Sequence, residues 1–443
     1  MKTSSSRLLP FLLLVLLTLA APIAYAQTAN QNQSAAQTMP SQNTQPITAY
    51  TVSGEQYRRA VEYSRAKYRH YFIGAAYGFL TLLLVLYLRL GAKFRDWAEK
   101  ASRRRVLQVL IYAPLMLLTV TLLGIVTDIW DQRLELAYAR SVQGWGSWGA
   151  DWIKSLLITL VLATLLVWIL YGVIRRSPRR WWFYFWLASL PVLALVFYLA
   201  PVVIQPMFFQ FKPLDAGHPQ LVSEIQKVCE RGGIYIPRER MFEMNASSKL
   251  TAQNAYVTGF GASKRVVVWD TTLAKATIPE TLFVFGHEMG HYVLLHIPKE
   301  LSILAVLVLA LFYLAYRCTG WMLARWGEGW GIRSIDDWAS LPMLLLLISC
   351  LTFLAAPAFN SISRYFEQKA DRYGLEVIHG LVPDSSQVAA RYFLNSGETN
   401  LADPNPSPFI KFWLFDHPSR SERVQFAASY DPWSRGEQPK YVK

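Results

Sequence analysis

Six runs of this chain are apolar for long enough to cross a bilayer, and no other property restricts its fold so strongly. They are Tyr71–Leu88, Val106–Val126, Leu156–Ile174, Trp181–Phe211, Leu301–Leu323 and Trp338–Phe359. Each is near the roughly 20 residues that a spanning helix needs. The fourth is longer, which predicts tilt or an extension beyond the lipid. Too many are apolar on every side for all six to be helices of a soluble domain. The composition agrees, with 53% hydrophobic and 14% aromatic residues over 443 positions. The expected fold class is a mainly α, polytopic membrane protein.

The formal charge of +14 does not point to nucleic acid. No nucleic-acid motif is present, and the basic residues cluster beside the apolar runs. The first connection carries Arg89, Lys93, Arg95, Lys100, Arg103, Arg104 and Arg105 against Asp96 and Glu99, and the third is Arg175-Arg176-Ser177-Pro178-Arg179-Arg180. The loop between them holds Asp128, Asp131, Glu135 and Asp151 against Arg133 and Arg140. The positive-inside rule therefore puts the first and third loops in the cytoplasm. Everything from about Gln210 to Pro298, and the tail after Phe359, falls on the other side.

Residues 1–26 read as a signal peptide or a first membrane helix: Lys2 and Arg7, a Leu-rich stretch, then Ala24-Tyr25-Ala26. Residues 27–47 read as a disordered linker, rich in Gln, Asn, Ser, Thr and Ala. The expected organisation continues with N-terminal membrane helices over 48–211 and an extramembrane part over 212–298. Two membrane helices follow over 299–359, then a C-terminal extramembrane part over 360–443. Within the extramembrane stretch, Gln220–Arg231 suits a helix, and Met241–Met244, Ala255–Phe260 and Arg265–Trp269 suit short strands. The last two strands are joined by Gly261-Ala262-Ser263-Lys264. A small sheet of this kind can hold an extended peptide by strand addition.

The chemistry gathers in His287-Glu288-Met289-Gly290-His291. Histidines four apart share a helix face, so both imidazoles reach one metal ion, and Glu288 lies where it can take a proton from a water activated there. Thr277 and Glu280 form an S/T-x-x-E capping box with Pro279 in the first turn, and Pro298 marks the expected end of the helix. The longer metzincin pattern fails, because Leu294 and Ile297 occupy its Gly and third His positions. His296, roughly 140° round the helix from His291, should point away.

His379 and His417 are possible third ligands, but Glu367 is the better candidate. It lies in a polar helical segment emerging from the last apolar run, with Asp371 four residues on and on the same face. Glu367 would complete a His₂Glu site with one position open for water. Asp371 would then accept a hydrogen bond from a ligand histidine. The three cysteines, Cys229, Cys318 and Cys350, suggest neither a disulfide framework nor a cysteine metal site.

The motifs HEMGH, NSISRYFEQKAD, NAYVTGFGASKRVVVWDTTL and DHPSRSER together resemble the type I CAAX prenyl endopeptidases, integral-membrane zinc metalloproteases of the gluzincin type. The resemblance runs from about Ser53 to Arg423. It implies seven membrane helices enclosing a chamber, a count reached here only if the N-terminal apolar segment is retained. It also implies zinc held by His287, His291 and Glu367, with Glu288 as the base. Asn254, Ala255 and Tyr256 match the edge strand that pairs with substrate. His417 and Arg423 match residues that contact substrate near the scissile carbonyl, and Asn360 and Arg364 match the surroundings of the third ligand.

The expected function is hydrolysis of peptide or protein substrates by one Zn²⁺ ion in a lipid-embedded enzyme. The loop charges place the active site on the periplasmic side of a bacterial inner membrane, the reverse of the eukaryotic arrangement. A catalytically silent peptide-binding protein of the same fold is the alternative, yet Glu288 and all three ligands are present. A transporter is disfavoured, because its ionisable residues should sit within the spans.

Overall fold

The computed structural model describes residues 46–259 and 264–442. The N-terminal segment read as signal peptide or first membrane helix lies outside the described residues, as do Phe260 and most of the turn that follows it. Of the linker, residues 46 and 47 are described. Ile47 donates its backbone N–H to Gln387 Oε1 at 2.7 Å, so the chain is already docked at that point.

Four of the six apolar runs lie wholly in helices long and apolar enough to span a membrane, the first does so as far as Tyr87, and the fourth as far as Met207. These helices are α1 (Gly54–Tyr87), α3 (Arg105–Ala137), α4 (Trp145–Arg176), α5 (Trp181–Leu199), α9 (His296–Trp326) and α10 (Leu341–Ile378), with the short α2 (Leu90–Ala101) between α1 and α3. Several run well past their apolar stretches. The 38 residues of α10 correspond to about 57 Å at 1.5 Å per residue, nearly twice the hydrocarbon thickness. Its C-terminal half must therefore leave the lipid, and that half carries Glu367 and Asp371. The long fourth run is not one continuous α-helix. After Leu199 it becomes a π turn at Ala200–Ile204 and a 3₁₀ turn at Gln205–Met207, where Pro201 and Pro206 each remove a backbone donor.

The three basic or polar connections meet at one end of the bundle. Arg95 Nη1 donates to Asp337 Oδ2 at 2.6 Å, Arg89 Nε to Gly329 O at 2.8 Å, and the Arg175 guanidinium lies 5.2 Å above the Trp338 ring. At the other end, Ser64 Oγ donates to Leu401 O at 3.2 Å, tying α1 to the peptidase part.

That part begins with β1 (Phe211–Pro213) and α6 (Pro219–Arg231), followed by β2 (Met241–Met244), β3 (Ala255–Thr258) and β4 (Arg265–Trp269). The sheet order is β1-β2-β4-β3, so β3 is an edge strand; it runs antiparallel to β4, which is parallel to β2. The expected strand through Phe260 is described only as far as Thr258. Phe211–Pro213, at the end of an apolar run, adds a strand that alternation does not reveal. Next come α7 (Asp270–Lys275), α8 (Ile278–Val293) and, beyond the last two membrane helices, α11 (Ser385–Thr399), α12 (Pro408–Leu414) and α13 (Arg420–Ser429). One hydrophobic cluster fills the bundle around Tyr112, Tyr171 and Trp338, and another fills the peptidase part around Phe283, Phe285, Leu375 and Phe393.

A candidate zinc centre between two close-packed helices

Helix α8 starts as its sequence requires. Thr277 Oγ1 accepts from the Glu280 backbone N–H, and Glu280 Oε2 accepts from the Thr277 N–H at 2.8 Å. Its end is different from the expectation: the helix stops at Val293 and Leu295 takes φ 55°. Pro298 instead falls in the first turn of α9, where its missing N–H is tolerated.

Glycines set how near α8 comes to α10. A Cβ on Gly374 would lie 2.9 Å from the His287 backbone nitrogen, and one on Gly286 would lie 2.7 Å from Val377 Cγ1. One on Gly290 would meet Tyr373 Cβ at 3.0 Å. Only a surface without side chains at these points allows the two backbones to approach so closely. The Gly286-x-x-x-Gly290 spacing is visible in the chain and signals this packing.

The approach brings His287, His291 and Glu367 together, with one ligand atom from each within 4.8 Å of the others. His287 Nε2 is 3.2 Å from His291 Nε2 and 3.3 Å from Glu367 Oε2, and His291 Nε2 is 3.3 Å from Glu367 Oε1. Atoms bound at 2.0–2.1 Å to a tetrahedral ion lie about 3.3 Å apart, so the spacing fits zinc. Glu367 Oε2 is buried without a hydrogen bond, as a carboxylate oxygen reserved for a cation should be. Glu288 is beside the group, its Oε1 3.9 Å from His287 Nε2.

The surroundings orient the imidazoles. His287 Nδ1 faces Asp371 Oδ1 at 2.8 Å, and Arg423 donates from Nε to Asp371 Oδ2 at 2.8 Å and from Nη2 to Asp371 Oδ1. Burial alone would lower the His287 pKa, but Asp371 and Glu367 push it up to about 10. Burial likewise opposes the charged form of His291, and Glu367 outweighs it, so that pKa is also raised. Both shifts express a negative potential at the point where a cation would sit. Burial raises the Glu288 carboxyl above its ordinary range, the direction that makes a carboxylate a better base.

His296 does not point away as the helix angle predicts. The break at Leu295 resets the helix, and His296 Nδ1 lies 3.3 Å from His291 Nδ1 with its ring against Phe366. It is a support behind His291, and a continuous-helix reading could not place it.

The remaining expected residues divide into two groups. Asn254, Ala255, Tyr256, His417 and Arg423 all line a cavity of about 360 Å³ that reaches His287, Glu288, His291 and Glu367. His417 Nε2 is 3.1 Å from Glu367 Oε2, and its Nδ1 is 2.9 Å from Asp416 Oδ1. Ala255 and Tyr256 belong to the edge strand β3, whose partner on one side is β4. By contrast, Asn360 and Arg364 hold backbone rather than ligands. Asn360 Nδ2 donates to Trp413 O at 2.6 Å, and Arg364 Nη1 donates to Lys411 O at 3.0 Å and to Phe415 O. They pin α12 to α10 and so position the loop that carries His417.

Comparison with known proteins agrees with this architecture. Residues 216–431 match peptidase family M48, and residues 32–210 match the CAAX prenyl protease N-terminal region of five membrane helices. The chain is 35% identical over 368 residues to the uncharacterized metalloprotease YhfN of Bacillus subtilis (strain 168), covering 83% of this chain and 84% of that protein. It is 24% identical over 405 residues to CAAX prenyl protease 1 of Saccharomyces cerevisiae, covering 86% and 87%. The crystal structure of S. mikatae Ste24p superposes with a TM-score of 0.73 at 22% identity, covering 88% of this chain and 93% of that one, and so shares its fold.

Proposed function

Because this chain belongs to peptidase family M48 and is a membrane zinc metalloendopeptidase, we propose that His287, His291 and Glu367 hold the zinc ion and that Glu288 is the general base. The observation that carries the assignment is the convergence of these three side chains from two helices, with ligand atoms 3.2–3.3 Å apart. Bound there, zinc would act as a Lewis acid that polarises the peptide carbonyl and brings the pKa of a water toward about 7.

The residues of the chain do the rest. Asn254, Ala255 and Tyr256 offer the open edge of β3 to an extended substrate backbone, as strand addition requires. Glu288 accepts the proton of the attacking water and returns it to the leaving nitrogen. His417, whose Nε2 lies 3.1 Å from Glu367 Oε2, supplies a donor to the developing oxyanion. Asp371 fixes the His287 tautomer, and Arg423 holds Asp371 ionised and in place while adding positive charge beside the reacting carbonyl.

The basic connections gather at the end of the bundle opposite the site, which supports an active site facing the periplasm of a bacterial inner membrane. The substrates we infer are peptides or unfolded segments of exported or membrane proteins. Glu288→Gln should keep its zinc and lose turnover by a factor on the order of 10² or more. Cleavage of a reporter peptide at the wild-type rate by that variant would remove the base from this scheme. A phosphatase or β-lactamase fusion at Ser429 tests the topology independently.

A further inference from the structure

The end of the bundle away from the catalytic cavity carries more cations than the chain neutralises. Three of its acids are spent: Asp337 and Asp96 pair with Arg95 at 2.6 and 2.9 Å, and Glu99 pairs with Arg333 at 3.0 Å. Asp336 accepts from Ser334 Oγ at 2.6 Å, and neither it nor Glu328 is ion-paired. Among the described residues, no arginine of the stretches Arg103–Arg105 and Arg175–Arg180 is in an ion pair either.

Two of these arginines are built into the fold. Arg105 is the first residue of α3, and Arg175 lies in the last turn of α4. Both guanidinium groups lie over one ring, that of Trp338, at 5.9 and 5.2 Å from its centre. The ring is fixed, being buried and donating from Nε1 to Gln108 Oε1 at 3.1 Å. It attracts each cation, yet it gathers two like charges that repel one another. Arg175 Nη1 is also shut off from solvent with no hydrogen-bond partner. A charged donor withdrawn from water in this way calls for an acceptor that the chain does not supply.

Depth in the membrane says which acceptor fits. Val106 follows Arg105 and opens one apolar run, Ile174 precedes Arg175 and closes another, and Trp338 opens the last. The site therefore lies at one bilayer surface, where lipid headgroups are found and indole rings are favoured. Val106, Leu107 and Leu110, just beyond Arg105 on α3, are exposed, so acyl chains have an apolar track beneath the headgroup.

We propose that Arg105 and Arg175 hold the phosphate of one anionic phospholipid against Trp338. A planar guanidinium forks onto two phosphate oxygens, and the lipid charge relieves the repulsion between the two arginines. A headgroup carrying an ammonium is disfavoured, because it adds positive charge to a cluster that already repels itself. The site is independent of the peptidase chemistry.

The test uses the full chain purified in a neutral detergent, with phosphatidylglycerol and phosphatidylcholine as probes. Native mass spectrometry reads the lipid that stays bound. Wild type should retain one phosphatidylglycerol about tenfold or more better than phosphatidylcholine. R105Q/R175Q should lose that preference. R179Q/R180Q removes the same charge from exposed positions and should keep it to within about twofold.

Equal losses in the two double variants would mean diffuse surface charge and overturn the proposal, as would wild type that holds both lipids alike. Inorganic phosphate that displaces the lipid at matched concentration would make this a site for a free ion and refute the lipid. Arg105→Gln alone changes an exposed side chain and gives a reading even if the double variant fails to fold. It should weaken phosphatidylglycerol retention about threefold or more, and no change would overturn the assignment.

Discussion

The membrane bundle and the peptidase part bury their side chains by opposite rules, and α10 runs through both. In the bundle, large apolar residues point outward: Leu80, Val161 and Leu354 are 64%, 70% and 65% exposed. Its interior is anchored by polar contacts, such as Tyr171 Oη with Ser340 Oγ at 2.7 Å and Trp338 Nε1 donating to Gln108 Oε1 at 3.1 Å. Lipid tails are as apolar as leucine, so packing shape and interhelical hydrogen bonds, rather than hydrophobic burial, hold such helices together. The peptidase part does the reverse, closing Leu, Val and Phe side chains over a sheet and four helices and gaining from every apolar area withdrawn from water. His287, His291 and Glu367 converge where the two regimes meet. Glu367 rides on the helix that continues into the membrane bundle, and the two histidines ride on a helix packed in the core of the peptidase part.

The largest effect expected from breaking this contrast is at the polar junction of the bundle. Lys67 Nζ lies 2.6 Å from both Asp131 Oδ1 and Glu135 Oε1, linking α1 to α3, with all three side chains buried. Lys67→Met removes the lysine from this buried cluster, in which Asp131 also lies 3.6 Å from His70 Nδ1, and should cost about 3–5 kcal/mol. Denaturation of the purified protein in detergent measures it. A loss near zero would mean that packing alone fixes α1 against α3.

A second break separates α8 from α10. Gly374→Ala places a methyl group against the His287 backbone, and overpacking of this kind costs about 1–3 kcal/mol. Because the same displacement carries His287 from Glu367, zinc retention under a chelator should fall along with stability. Unchanged zinc retention would show that the helices have slack at their closest point.

How much of this was legible in the chain differs between the two regions for the same reason. The six spans could be read because lipid demands an unbroken apolar run, and a long run is an unambiguous signal. The approach of Glu367 to the two histidines could be read because a carboxylate pair four apart emerges from a span on the same side as His287 and His291. His296 could not. Its direction depended on φ at Leu295, and an apolar residue there gives no warning of a left-handed turn. The strand at Phe211–Pro213 was hidden for a related reason, since it lies at the end of an apolar run and shows no alternation.

Effects become smaller toward the edges of each region. Thr277 caps α8, and Glu280 of the same capping box also accepts from Asn395 Nδ2 at 3.1 Å, tying the helix start to α11. Thr277→Ala should cost about 1 kcal/mol, the usual worth of an N-cap, as read by thermal unfolding.

The smallest change is expected where a soluble protein would show one of the largest. Leu354→Ala truncates a leucine in the middle of α10, a substitution that costs about 2–5 kcal/mol in a water-surrounded core. Leu354 is 65% exposed, so truncating it removes few contacts with the rest of the chain. The expected loss is within about 0.5 kcal/mol, that of an ordinary surface substitution. A cost of several kcal/mol would mean that Leu354 packs against protein rather than lipid, and the outward face assigned to this stretch of α10 would have to be redrawn.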